Sequence, residues 1–225
     1  MPVMEGPGFF RKIYAILEIP WVYRLAGWLL APGAPQGLAP LMEKAFGKSR
    51  GLVLDMGCGP ELNTPEPEGL LVGADVIEKY VRSYTGGYLD EDPGLVSCPP
   101  PGRKRLGYLL SAGNLPFQSG SFDEARCVAV FHHLTDLEAG KALREMNRCL
   151  RSGGRLVIMD AVLPRRAWLR PLAWLTLKLD RGRHVRKQDQ LQNLCQEACP
   201  GDWQWERRTY TYTGMEFLYL YCLKA

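Results

Sequence analysis

Five short runs of apolar residues, rich in Val, Ile and Leu, recur along the middle of the chain. They lie at residues 51–56, 70–76, 106–112, 125–131 and 155–162. Unbroken apolarity, rather than alternation with polar residues, is typical of strands that are buried on both faces. Segments with helical spacing separate these runs. The pattern therefore predicts a parallel sheet that is covered by helices.

The best-defined helix is predicted between the fourth and fifth runs. Thr135 and Glu138 have the spacing of an N-terminal capping box. Apolar residues then follow at close to helical period as far as Leu150. Gly153 and Gly154 are predicted to provide the left-handed end of this helix.

The last part of the chain predicts an antiparallel hairpin. Two β-rich runs, 203–213 and 215–224, are joined at Gly214, and so short a connection forces neighbouring strands to run in opposite directions.

Two segments stand outside the alternation of strands and helices. One is residues 1–40, which are aromatic at 9–31 and linker-like at 31–40, and the other is the arginine-rich residues 163–187. Each is a candidate to close over a site.

Composition narrows the class of protein. The chain has 225 residues, 46% of them hydrophobic and 23% charged, which predicts one globular domain over residues 1–225. A net charge of +4 is too mild to indicate a nucleic-acid partner, and the end of the fourth run, VFHHL, lacks the Asn/Asp-Pro-Pro-Tyr type of signature that binds a base amine. The seven cysteines show no framework spacing, which favours a cytoplasmic protein. Residues 13–31 are interrupted by Glu18, Pro20 and Arg24, so no membrane span is predicted there.

The loop after the first run, in VLDMGCGP at residues 53–60, indicates a ligand site. Gly57 and Gly59 allow backbone to approach a ligand closely. A dinucleotide fingerprint would need a third glycine where Leu62 stands. Asp55 would repel a pyrophosphate but suits a ligand with a cationic amino group, although a purely structural role at the strand end stays open.

A second acid, Asp75, ends the second run 18 residues after Gly57. A carboxylate there accepts hydrogen bonds from ribose hydroxyls, as an adenosine-containing cofactor requires. One acid for an ammonium group and one for a ribose together predict S-adenosylmethionine as the cofactor, with S-adenosylhomocysteine as its product.

From about Leu52 to Pro164 the chain resembles the class I S-adenosylmethionine-dependent methyltransferases, within them the UbiE-like small-molecule group. The resemblance is carried by VLDMGCGP, LVGADV, SAGNLPFQSGSFDEARCVAVFHHL and ALREMNRCLRSGGRLVIMD, in that order. It implies a Rossmann-like, doubly wound α/β fold with a seven-stranded, mostly parallel sheet and helices on both faces. The implied cofactor-binding residues are Asp55, Gly57, Cys58, Gly59, Asp75, Val76, Ser111, Ala112 and Val128.

Two positions depart from the family pattern. Ser111 stands where an aspartate usually accepts a hydrogen bond from adenine, and a serine is a weaker, neutral acceptor. The segment PELNTPEPEG at residues 60–69 contains three prolines. The helix that normally follows the glycine loop is therefore predicted to have at most one turn.

Methyl transfer requires alignment of donor and acceptor, and a base only where the acceptor must lose a proton. His132 and His133, after the fourth run, are the candidate catalytic residues; a role in which one of them only bonds backbone is the alternative. Cys195 and Cys199, four residues apart, fit either a thiol site or two buried helix positions. No metal site is predicted.

The insertion at 164–187 has eight Lys or Arg residues and one Asp. It is interpreted as a lid for an anionic substrate, as a peripheral contact with anionic membrane, or as a solvated helix. The predicted function is methyl transfer to a small hydrophobic or aromatic acceptor, at oxygen or carbon. The alternatives are an amine, lipid head-group or thiol acceptor, and a non-catalytic cofactor-binding protein.

Overall fold

A computed structural model describes residues 31–60, 64–179 and 184–225, and its centre is one seven-stranded sheet. The strands are β1 (Arg50–Met56), β2 (Glu68–Asp75), β3 (Arg105–Leu109), β4 (Phe122–Val128), β5 (Leu150–Val162), β6 (Gln204–Thr209) and β7 (Glu216–Leu223). Their order across the sheet is β3-β2-β1-β4-β5-β7-β6. Strands β1 to β5 pair in parallel, which confirms the predicted sheet.

In the part of the chain that the structure describes, five α-helices lie on the two faces of the sheet. They are α1 (Ala34–Phe46), α2 (Glu78–Thr85), α3 (Asp136–Cys149), α4 (Pro171–Leu179) and α5 (Gln188–Ala198). Side chains alternate between the faces along each strand: Leu156 and Ile158 of β5 pack in a core cluster with α3 and α5, whereas Val157 and Met159 pack with α1 and α4. Helices therefore cover both faces, as predicted.

The predicted hairpin is confirmed at the end of the chain. Strand β7 pairs antiparallel with both β5 and β6. Gly214 lies in the connection between β6 and β7 with φ +88°, a left-handed conformation that glycine adopts without strain. The hairpin places β6 at one edge of the sheet.

Helix α3 begins as predicted but does not end as predicted. Thr135 and Glu138 form the capping box. The helix ends at Cys149, and Leu150 is already extended and buried as the first residue of β5. Gly153, with φ +74°, lies inside β5 where its pairing with β4 shifts register. Gly153 therefore lies at an irregularity within β5 and does not end α3. Because Leu150 is already buried in the sheet, the chain passes directly from helix to strand.

The linker predicted at residues 31–40 is wrong, because helix α1 begins at Ala34 and includes most of that stretch. Pro35 lies in the first turn, where its missing N–H costs no hydrogen bond. The helix is held by its buried residues Met42, Ala45 and Phe46, which pack against the sheet. The aromatic stretch predicted at 9–31 lies, except for Ala31, outside the described residues.

The connection between β1 and β2 contains no helix in its described residues, 57–60 and 64–67. A buried arginine of β4 lies beneath it. Arg126 is fully buried, donates a hydrogen bond from Nη1 to the Pro65 carbonyl oxygen (3.3 Å) and stacks over the Phe46 ring at 5.0 Å.

In the described chain, no helix has the length and apolarity that a membrane crossing needs.

Candidate active site

The glycine loop leaves β1 in a conformation that its two glycines allow. Gly57 and Gly59 have φ values of +70° and +65°, a region that strains other residues. The N–H groups of Gly57 and Cys58 donate to the Ala74 carbonyl oxygen at 2.7 and 3.2 Å. A Cβ atom on Gly57 would lie 2.2 Å from Cγ2 of Val130. The loop is therefore fixed between β2 and the segment that follows β4.

Asp75 joins the end of β2 to the glycine loop. Its Oδ2 accepts the Gly59 N–H at 3.1 Å, and its Oδ1 accepts the Ile77 N–H at 3.0 Å. Burial raises the pKa of this carboxyl above its ordinary value, against the lowering effect of those two backbone hydrogen bonds. Each oxygen keeps a further lone pair for a ligand hydroxyl.

The predicted adenine side lies beside Asp75. Val76 is 60% exposed, an unusual value for a large apolar residue directly after a buried strand. The Leu110 N–H donates to the Asp75 carbonyl oxygen at 2.9 Å, so the end of β3 is held against the end of β2. Strand β3 ends at Leu109, earlier than predicted, and the exposed Ser111 and half-buried Ala112 lie in the loop after it.

Asp55 has protein partners in the same region. Its Oδ2 accepts the Tyr84 hydroxyl at 3.1 Å and lies 3.5 Å from Nη2 of Arg126. Only 5% of Asp55 is exposed. Burial, followed by the Asp55 charge, raises the pKa of Tyr84 well above its ordinary value. These contacts favour the structural role that the sequence left open for Asp55. The partners of its carboxylate are the side chains of Tyr84 and Arg126 and not the amides of the loop.

Cys58, between the two glycines, is a buried thiol. Burial is the main cause that raises its pKa, and the charges of Asp55 and Asp75 raise it further. A thiol in that environment stays protonated at neutral pH. The structure therefore supports a packing role for Cys58.

The segment after β4 contains a strained residue that no sequence signal indicated. Ala129 has φ +56°, which costs a non-glycine residue about 1–2 kcal/mol. Its N–H donates to the Met159 carbonyl oxygen at 2.8 Å, and this bond holds the turn in place. Val128, the predicted cofactor contact at the end of β4, is half-buried just before this turn.

His132 is paired with a buried acid. His132 Nδ1 lies 2.5 Å from Oδ1 of Asp160, and the His132 backbone N–H donates to Oδ2 at 3.0 Å. Asp160 also accepts the Ala161 N–H at 2.7 Å and is 2% exposed. Asp160 is not among the predicted site residues, although an acid inside the apolar run 155–162 is a signal of the same kind as Asp55 and Asp75.

His133, the second candidate catalytic residue, is exposed. Its ring centroid lies 4.0 Å from that of His132, with the planes tilted by 46°. The two rings therefore stand side by side in the 3₁₀ turn Phe131–His133. One is buried against the sheet and the other faces solvent.

The far end of the basic insertion is bound to this histidine turn. Arg186 is buried and donates to the carbonyl oxygens of Phe131 (2.7 Å) and Leu134 (2.8 Å). The His184 N–H donates to the His132 carbonyl oxygen at 3.0 Å. Arg186, counted in sequence only as one of eight basic residues, therefore orders the turn that holds both histidines.

Cys195 and Cys199 are both buried on α5 or at its end. Burial raises the pKa of Cys199 to about 11, and it raises the pKa of Cys195 further. The Cys199 thiol donates to the Leu143 carbonyl oxygen at 3.4 Å. These contacts favour two buried helix positions over a thiol site.

The residues present fit an adenosyl ligand with an amino-acid tail. A Cβ atom placed on Gly59 would meet no atom of the described residues within 4 Å, so among these residues the backbone there is open to a ligand. Asp75 offers carboxylate lone pairs beside that backbone, and Val76 offers exposed apolar surface. Open backbone, a ribose acceptor and an apolar platform thus lie together at the carboxyl ends of β1 and β2, where ligands bind in such sheets.

Comparison with known proteins agrees with this geometry. Residues 54–158 match a family described as a methyltransferase domain. A stretch of 60 residues is 45% identical to the uncharacterized protein YafE of Escherichia coli (strain K12), and it makes up 27% of this chain and 27% of that protein. The match thus spans only about a quarter of this curated relative.

Solved structures of low sequence identity share the fold. An S-adenosylmethionine-dependent methyltransferase from Thermotoga maritima, described as a possible histamine N-methyltransferase, is 17% identical, with 94% of this chain and 99% of that chain covered and a TM-score of 0.64. Haemonchus contortus phosphoethanolamine N-methyltransferase 2, in complex with S-adenosyl-L-methionine, is 14% identical, with 86% and 53% covered and a TM-score of 0.57.

The matched segment begins in β1 and ends in β5. It therefore includes the glycine loop, Asp75, Ser111 and the histidine turn, which are the parts of the site described above. Residues 54–158 are thus similar to a methyltransferase domain family over the part of the chain that carries this site, and the solved methyltransferases share its fold.

Proposed function

We propose that the whole protein transfers a methyl group from S-adenosylmethionine to a small hydrophobic or aromatic acceptor, at oxygen or carbon. The observation that carries the proposal is the junction of Gly59 with Asp75, where open backbone and a carboxylate lie within one hydrogen bond of each other. That junction suits the ribose and the amino-acid tail of one ligand.

When bound, S-adenosylmethionine supplies an electrophilic methyl group on a sulfonium that is also the leaving group. The contribution of this chain is alignment. In the proposed site Asp75 accepts the ribose hydroxyls, the backbone of the glycine loop, open at Gly59, lines the methionine part, and the Ser111 loop meets the adenine. Because little of Asp55 is exposed, its proposed role is to support the residues that line the cofactor site.

The histidine turn would serve an acceptor that must lose a proton. If His132 takes that proton, the imidazolium is stabilised by Asp160, whose carboxylate lies 2.5 Å from Nδ1. His133 is the alternative base, because it is exposed beside His132. Asp160 touches neither cofactor nor acceptor in this scheme and is therefore a positioning residue.

Calorimetric titration of the purified protein with S-adenosylmethionine, S-adenosylhomocysteine and NAD tests the cofactor. Micromolar binding of the first two, without binding of NAD, is the expected result. Binding of NAD alone, or of none of the three, would remove the basis of the proposal. Tight cofactor binding with no transfer of labelled methyl to any acceptor would instead support the cofactor-binding protein that has lost catalysis.

An amine acceptor is the second candidate. It is favoured by the names of two structural relatives, a possible histamine N-methyltransferase and a phosphoethanolamine N-methyltransferase. A panel of phenols, amines and thiols, assayed for transfer of labelled methyl, separates these acceptor classes. Transfer to amines alone would replace the oxygen or carbon acceptor.

A further inference from the structure

Helix α4 is apolar on two sides, and the described protein covers only one of them. Ala173 and Leu177 are buried against the sheet in the same cluster as α1. Leu172 is 63% exposed and Leu175 is 48% exposed on another side. A helix that is apolar all round is normally buried all round. The outer side of α4 therefore has the character of a contact surface.

The turn before α4 extends this surface. Trp168 is 76% exposed and lies in the 3₁₀ turn Ala167–Leu169 that precedes α4. The neighbouring Leu169 and Trp174 are also exposed. Five large apolar side chains are thus exposed within eight residues of chain, and such a concentration of exposed apolar surface is typical of an interaction site.

The charged residues of this segment are of one sign. Residues 164–179 include no Asp or Glu, and Arg165, Arg166 and Lys178 are exposed. Arg170 faces the protein instead, since it pairs with Glu216 at 3.1 Å and donates to the Gly214 carbonyl oxygen. Tryptophan and leucine with a cationic margin are the composition of segments that lie in a lipid interface.

We propose that this surface, the α4 outer face, docks on an anionic lipid bilayer. The α4 outer face consists of Trp168, Leu169, Leu172, Trp174 and Leu175, with Arg165, Arg166 and Lys178 at its margin. The charge argues against the first 30 residues of the chain as the occupant, because they carry three basic and two acidic residues and would bring a net positive charge to a cationic margin. The inference goes beyond the proposed function and is independent of it.

Vesicle co-sedimentation with the full chain tests the docking. Vesicles of phosphatidylcholine mixed with phosphatidylglycerol should bind the wild-type protein at low salt, whereas vesicles of phosphatidylcholine alone should bind it weakly, and added salt should release it. The double variant Trp168→Ser with Leu172→Ser should bind at least about tenfold more weakly. Arg166→Glu should cost about fivefold or more, since each basic residue near the surface contributes about that factor.

Leu223→Ser is the matched control. Leu223 is 62% exposed, almost as much as Leu172, but lies at the end of β7. It should leave vesicle binding unchanged. Unaltered binding of S-adenosylmethionine by every variant would show that the fold is intact. If the wild type itself does not bind S-adenosylmethionine, the proposed function is contradicted, but the vesicle result still stands.

Three outcomes would overturn the docking proposal. The first is that wild-type protein fails to bind anionic vesicles at low salt. The second is that the double serine variant binds them as well as Leu223→Ser does. The third is that the wild type is a dimer without vesicle affinity and the double variant is a monomer, which would assign the α4 outer face to a second copy of the chain.

Discussion

At the scale of single residues, three acids in similar sequence contexts have different tasks. Asp55, Asp75 and Asp160 each stand at or near the end of an apolar run. Asp55 is bound by the side chains of Tyr84 and Arg126, Asp75 by two backbone N–H groups, and Asp160 mainly by His132. Only the carboxylate of Asp75 lies directly beside the open backbone of the glycine loop.

Asp75→Ala should weaken S-adenosylmethionine binding by about 1–3 kcal/mol, because ribose hydroxyls lose a buried acceptor. Calorimetry measures this loss. Asp90→Ala is the control, since Asp90 is likewise a carboxylate that accepts a backbone N–H, that of Gly107 at 3.0 Å, away from the glycine loop. Equal affinity of Asp75→Ala and wild type, with both folded, would contradict the assigned site.

The raised pKa of Asp75 adds a pH dependence to the same measurement. A raised pKa means that the folded protein favours the protonated carboxyl. The contribution of Asp75 to the free energy of unfolding is therefore fully present at pH values below the ordinary pKa of about 3.9, and it is lost as pH rises through the raised pKa. Cofactor affinity has the opposite dependence, because the ionised carboxylate is the better acceptor. As the pH is lowered, cofactor affinity should therefore begin to fall while the pH is still above about 3.9. This pH dependence should be absent in Asp75→Ala.

Asp160→Asn tests the positioning of His132. An amide in place of the carboxylate presents a donor or a neutral acceptor to Nδ1, so the imidazole should change tautomer or titrate differently, and folding should lose about 1–3 kcal/mol. Nitrogen-15 shifts of the His132 ring report the tautomer, and urea unfolding reports the stability. Asp189→Asn, at the exposed start of α5, serves as control. Ring shifts identical to wild type would contradict the role.

At the scale of elements, the glycine loop and the turn after β4 are fitted to each other. Gly57 leaves the space that Val130 fills, while Gly59 faces open space at nearly the same φ. Two glycines that look equivalent in GCG thus serve different purposes. For folding, Gly57 is required by packing and conformation together and Gly59 by conformation alone, while the open backbone at Gly59 has its proposed purpose in ligand binding.

Gly57→Ala should therefore destabilise the protein by more than about 2 kcal/mol, since overpacking adds to the strain of positive φ. Gly59→Ala should cost only the strain of about 1–2 kcal/mol. Adding Val130→Ala to Gly57→Ala should recover part of the loss. Urea unfolding of the four proteins, wild type included, measures these differences. Equal costs for Gly57→Ala and Gly59→Ala would show that Val130 does not limit the space.

Helix α1 is an element that tertiary packing decided. Residues 31–40, with three prolines and two glycines, have the composition of a linker, yet Ala34–Phe46 is a helix. Burial of Met42, Ala45 and Phe46 outweighs the low local propensity. The capping box of α3, by contrast, acts between residues three apart, and the sequence alone predicted it.

At the scale of the whole molecule, the site is assembled by the order of the strands. Strands β2, β1, β4 and β5 are neighbours in the sheet, so the ends that follow them in parallel meet at one edge. Asp75, Gly59, the histidine turn and Asp160 come from these four ends. The C-terminal hairpin completes the sheet beyond β5 and provides the surface that α4 and α1 share.

The sequence by itself determined the strand set, the parallel sheet with its hairpin, the glycine loop with Asp75, and the capped start of α3. These depend on short-range periodicity and on residue types whose conformation or chemistry is local. Only the tertiary structure decided the partners of Asp55, the pairing of His132 with Asp160, and the helix at Ala34–Phe46. Those features join residues 28 and 71 positions apart, or depend on burial against distant strands, and such contacts leave no local period to read.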